Sequence, residues 1–116
     1  MESPVKRAVE PGLCRACIVF APSSKSPAYE LQVRLLQEEH EYFEATGIRL
    51  IRVLAKGQSV DGDTGMTKAE ADLLRAYHDV SPDEFAVVLL DANGKEVQRY
   101  DAPLRIETIQ ECFEVN

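Results

Sequence analysis

Residues 16–21 (Ala-Cys-Ile-Val-Phe-Ala) and 85–90 (Phe-Ala-Val-Val-Leu-Leu) are the two longest stretches in which no polar side chain interrupts the apolar ones. Runs this short, with no alternation, predict strands buried on both faces. The first is expected to end at Pro22, which has no N–H for a ladder. Ser26-Pro27 then reads as a helix start, with Ser26 as the hydroxyl cap and Pro27 in the first turn. The helix is expected to run to about Ala45 and stop before Gly47. Tyr29, Val33, Leu36 and Phe43 form one stripe with His40 on it, and Ala28, Leu31, Leu35 and Tyr42 form the adjacent one. Gln37, Glu38, Glu39, Glu41 and Glu44 are left facing water.

Residues 48–54 predict a second strand, parallel to the first after the helical crossover. Residues 56–66, polar with three glycines, read as a loop. Thr67-x-x-Glu70 is a capping box opening a helix whose inner face is Ala71, Leu74, Tyr77 and Leu73, ending near His78-Asp79. Asp91-Ala92-Asn93-Gly94 predicts a hairpin turn into an edge strand at 95–100. Leu104, Ile106, Ile109 and Phe113 mark a last helix to about Glu114. The order β-α-β-α-β-β-α makes an α/β domain. Its expected four-stranded mixed sheet has the order 2-1-3-4, with one helix on one face and two on the other. Residues 1–14, with two prolines and mixed charge, read as an irregular lead-in, and 15–116 as the domain.

Composition narrows the function classes. The 116 residues fit one domain with a core of its own. A net charge of −7 argues against nucleic acid and anionic lipid as partners. No apolar run is long enough to span a membrane. Residues 1–7 lack the apolar core of a secretory leader. Cytoplasmic residence is therefore the default expectation, with a periplasmic or secreted one if a leader was removed. Three cysteines, an odd number, do not make a secreted disulfide scaffold.

Candidate chemistry is sparse. Cys14-Arg15-Ala16-Cys17 has CxxC spacing, but it precedes a strand instead of opening a helix. Extended backbone would hold the two cysteines roughly 10 Å apart, beyond the ~7 Å that a disulfide tolerates. A turn at Arg15 would close that gap. Asp61-Gly62-Asp63-Thr64-Gly65 begins like a calcium loop, yet its sixth position is Met66 and its twelfth, Asp72, falls in a helix. His40, His78 and Cys112 show no metal-ligand spacing, and no cofactor is implied. Ser23, Ser24, Lys25 and Ser26, with Pro82 on a neighbouring loop, offer hydroxyls, N–H donors and one cation. These suit a small anion or carboxylate.

The residue pattern also resembles a known family. Pro22 and Ser26 match the peroxiredoxin signature Pro-x-x-x-Thr/Ser-x-x-Cys, and 88–95 (Val-Leu-Leu-Asp-Ala-Asn-Gly-Lys) resembles the strand and turn ending in Ile-Asp-x-x-Gly. The peroxidatic cysteine position falls on Tyr29, and the active-site arginine position on Phe85. The cis-proline position of thioredoxin-like enzymes falls near Glu84 or Phe85, so Pro82 is misplaced for it. The Phe-Ala-Pro-Ser opening, the approach Tyr77…Val80-Ser81-Pro82…Phe85 and Asp101-Ala102-Pro103-Leu104 resemble the P-DUDES family of peroxiredoxin-like domains of unknown function. The resemblance implies a thioredoxin-like fold over residues 15–114 and brings no catalytic residues. Two readings follow. One is a redox-inactive module that binds an unknown protein or a small anionic ligand. The other is a non-standard thiol-disulfide oxidoreductase using Cys14 and Cys17.

Overall fold

The computed structural model describes residues 15–113. In chain order the elements are β1 (Ala16–Ser23), α1 (Pro27–Gln37), α2 (His40–Thr46), β2 (Arg49–Lys56), β3 (Ser59–Asp61), β4 (Thr64–Met66), α3 (Lys68–Tyr77), β5 (Ala86–Leu90), β6 (Glu96–Tyr100) and α4 (Ile106–Phe113). Six strands make one sheet in the order β4-β3-β2-β1-β5-β6. β1 is central, parallel to β2 and antiparallel to β5.

This sheet is larger than the four strands expected. The four expected strands lie side by side as β2-β1-β5-β6, and a β3-β4 hairpin extends the β2 edge. The hairpin occupies the stretch expected to be a loop. Gly62, at φ 64°, is the first of its two turn residues, the position and sign that a type II′ turn needs. Strands of three residues are too short to show alternation, so their sequence reads as polar loop. Ser59 is buried and its hydroxyl accepts from Leu54 N–H at 2.9 Å, closing the connection back onto β2.

β1 shows why the first apolar run is unbroken. Cys17, Val19 and Ala21 face one side with α1, α2 and α4, while Ala16, Ile18 and Phe20 face the other, with α3. Ile18, Phe20, Val87, Val88 and Leu89 are wholly inaccessible. The strand does not stop at Pro22. It pairs Ala21 with Leu54 and Ser23 with Lys56, passing over the proline, which has no donor.

The long helix expected after Ser26 is two. α1 ends at Gln37, and α2 starts at His40 after Glu39 leaves helical dihedrals (φ −113°, ψ 27°). No proline or glycine marks the break. Glu38 and Glu39 put negative charge at the negative end of the α1 dipole, which disfavours propagation. Gly47 ends α2 in the left-handed conformation, its N–H bonded to Phe43 C=O at 3.0 Å. Ser26 is the N-cap of α1, but its hydroxyl makes no capping bond. The capping box of α3 is present in both directions: Glu70 N–H to Thr67 Oγ1 at 3.1 Å, and Thr67 N–H to Glu70 Oε1 at 2.9 Å.

Two apolar faces differ in part from expectation. On α3, Ala71 is buried and Leu74 packs on the core as expected, but Leu73 and Tyr77 are 70% and 74% exposed, and Arg75 is buried, with His78 just beyond the helix end. On α1, Leu31 is exposed and Gln32 is fully buried beside Tyr29 and Leu36. No described helix is long and apolar enough to cross a membrane.

Candidate functional site

Phe20 of β1 faces Ala86 of β5. The turn after β1 (residues 24–26) and the turn before β5 (residues 81–84) therefore lie at the same end of the sheet, where a parallel and an antiparallel neighbour of β1 diverge. This is where the anion-binding groups were expected. Ser23 is half-buried at the strand end, and its Oγ accepts from Lys25 N–H at 3.2 Å. Ser24 and Lys25 are exposed. Ser26 is half-buried, with its carbonyl accepting from Glu30 N–H at 2.9 Å. Across the end, Pro82 is exposed in a turn closed by Glu84 N–H to Ser81 C=O at 3.1 Å and Ser81 N–H to Glu84 Oε1 at 3.0 Å. Among the described residues no hydrogen bond or ion pair joins the two turns. Every peptide bond described is trans, including that before Pro82.

Tyr29 and Phe85, onto which the peroxiredoxin resemblance would place a cysteine and an arginine, are both packing residues. Tyr29 is 7% exposed and packs in the α1 face of the core, and Phe85 is half-buried against the same cluster.

Cys14 lies outside the described residues. Cys17 is a β1 residue with no exposed surface, and burial, followed by the neighbouring Cys112 thiol, pushes its pKa up to about 12. The thiolate is the nucleophile in thiol chemistry, so Cys17 is almost wholly in its inert form at neutral pH. Cys112 is partly buried on α4, packed against the same cluster as Cys17. His40, expected at a helix edge, is exposed, 3.8 Å from Glu44. Among the described residues no three His, Cys, Asp or Glu side chains gather as a metal would require.

One polar cluster has no counterpart in the sequence reading. His78, expected at a helix end, is 3% exposed. Its Nδ1 lies 2.9 Å from Glu96 Oε2 on the edge strand, and its ring lies 5.9 Å from Phe20 and 4.8 Å from Tyr77. Arg99 donates to the carbonyls of His78 and Asp79 and reaches Glu84 Oε2 at 3.4 Å. Asp79 adopts φ 56°, a conformation unusual for a non-glycine residue, and these bonds hold it there. A histidine–carboxylate pair is a familiar acid–base unit, but a substrate needs access to the ring. Here the ring is enclosed, so the cluster fastens the end of α3 to β6 and to the 81–84 turn.

The fold and its strand-end turns thus define a mixed α/β domain built around one sheet, with the Cys17 thiol sealed inside it and the Cys112 thiol partly buried. The chain belongs to the family described as a domain of unknown function, DUF4174, whose model matches residues 12–113. No curated protein and no solved structure matches it.

Proposed function

We propose that this is a thioredoxin-like domain, of the peroxiredoxin-like P-DUDES kind, that has no redox activity and serves as a binding or protein-interaction module. The observation that carries the reading is the pairing of Tyr29 with Cys17. The position that would hold a reactive cysteine has a tyrosine packed into the core. The thiol on the adjacent strand is sealed inside, its pKa near 12. The helix start at 23–26, with Lys25 as its cation, and Pro82 on the facing turn supply the groups that would meet a small anion or a partner's carboxylate. Electrostatic attraction there is local in an acidic chain, so binding would be weak and salt-sensitive.

A thiol titration tests the redox part. Native protein is counted for reactive thiols before and after treatment with excess dithiothreitol, and again after unfolding. An inactive module gives the same native count with and without reductant. A gain of two thiols on reduction, lost when Cys14 or Cys17 is replaced by serine, would show a reducible Cys14–Cys17 pair and contradict the inactive reading in favour of the dithiol one.

A further inference from the structure

A hollow of about 390 Å³ lies between the α1–α2 bend and the start of β2, at the opposite end of the sheet from the strand-end turns. Its size falls in the lower part of the range of small-molecule pockets, about 300–1,000 Å³. The floor is apolar: Leu36, Phe43 and Ile48 are all buried and all line it.

Arg52 is the unexpected member. β2 alternates so that Leu50, Arg52 and Leu54 point to the α1–α2 side, and Leu50 and Leu54 belong to the core cluster there. Arg52 is half-buried in that row, on a strand paired on both edges, between Val19 and Val60. Its side chain makes no hydrogen bond or ion pair among the described residues. The other charges around the hollow are differently placed. Arg49 is paired with Asp61, His40 faces Glu44, and Asp63 sits exposed on the hairpin turn. Arg52, half-buried beside an apolar cavity and with no side-chain partner among the described residues, is suited to a carboxylate, which a guanidinium binds through two parallel N–H donors. The rim carboxylates of Glu44 and Asp63 work against ligands with more than one negative charge.

We propose that this hollow binds a small monocarboxylate with an apolar tail. Its carboxylate meets Arg52, and its tail lies on Leu36, Phe43 and Ile48. The proposal is independent of the strand-end reading, since redox turnover or its absence leaves this site unchanged.

The test is an NMR titration of the full chain at low salt with phenylacetate, phenylacetamide and inorganic phosphate. Phenylacetate should give saturable amide shifts at 36–52, with a dissociation constant of about 0.1–1 mM. The neutral amide should bind at least about tenfold more weakly, because it forfeits the charge-assisted contact. Arg52→Gln, checked for folding by its own spectrum, should show a similar loss. The acid–amide comparison uses the unaltered chain and so stands even if the variant misfolds. Three results would overturn the proposal: no saturable shift by about 10 mM, equal binding of acid and amide, or phosphate binding as tightly at the same amides. Each of these would leave Arg52 as an arginine whose stem packs on the sheet while its head reaches water.

Discussion

Gln32 and Leu104 exchange two hydrogen bonds across 72 residues of sequence: Gln32 Nε2 donates to Leu104 C=O at 2.9 Å, and Leu104 N–H donates to Gln32 Oε1 at 2.6 Å. The glutamine is fully buried, and its amide completes the backbone pairing of a residue that belongs to no strand. The side chain thereby acts as a one-residue strand, fixing the approach to α4 against α1. Gln32→Leu keeps the volume but leaves both backbone groups of Leu104 without these partners. Each buried unsatisfied group costs about 1–3 kcal/mol, so the melting temperature should fall by about 10 °C or more. A change under about 2 °C would show that Leu104 finds other partners.

Arg75 presents the opposite case. Its guanidinium is buried, with Nη1 at 3.3 Å from Asp72 and Nη2 without a hydrogen-bond partner among the described residues. Replacing a poorly compensated buried charge by an apolar chain of similar length is often neutral or stabilising. Arg75→Met should therefore leave the midpoint of urea unfolding unchanged or raise it. A loss of more than about 1.5 kcal/mol would mean that the guanidinium makes a stronger bond than its geometry indicates.

His78 and Glu96 join the end of α3 to the edge strand. Glu96 is about one-third exposed, so solvent screens the pair and its coupling should be near 1 kcal/mol, not several. A double-mutant cycle with Glu96→Gln and His78→Asn measures it. A coupling indistinguishable from zero would make the burial of His78 a matter of packing on Phe20 alone.

Those residues also explain what the sequence could and could not reveal. The strands at 16–21 and 85–90 were legible because two-sided burial writes itself as an uninterrupted apolar run. The capping box at Thr67 and Glu70 and the turn at Asn93-Gly94 were legible because their chemistry is local. The burial of Arg75 and His78 was not. Leu73 and Tyr77 extend the stripe of Ala71 and Leu74 in sequence, yet they are exposed, and the ties from Glu96 and Arg99 hold the His78 end of α3 inward. Those ties span 18 and 21 residues, beyond any helical period. The same limit hid the buried role of Gln32 and the hollow around Arg52, which forms only when the α1–α2 bend meets β2. The position of Cys17 inside a strand was readable from the run around it. The lead-in with Cys14 lies outside the described residues.

Burial of the Cys17 thiol ties stability to alkaline pH. Its folded pKa, about 12, lies above the ordinary value of 9.0, because burial and then Cys112 disfavour the thiolate. The contribution is complete below about pH 9 and is lost as pH rises from there toward 12, since the unfolded chain releases this proton first. Each unit in that window removes up to about 1.4 kcal/mol. Between pH 9 and 10.5 the natural chain should therefore lose more unfolding free energy than Cys17→Ala. Parallel pH profiles would show that the thiol is not sealed.

The most direct measurement of the central claim, that this fold has no thiol chemistry, is peroxide turnover in a thioredoxin-coupled assay, with insulin disulfide reduction run beside it. The account predicts rates equal to the protein-free background in both, unchanged by Cys17→Ser. Steady turnover above background that Cys17→Ser abolishes would contradict it.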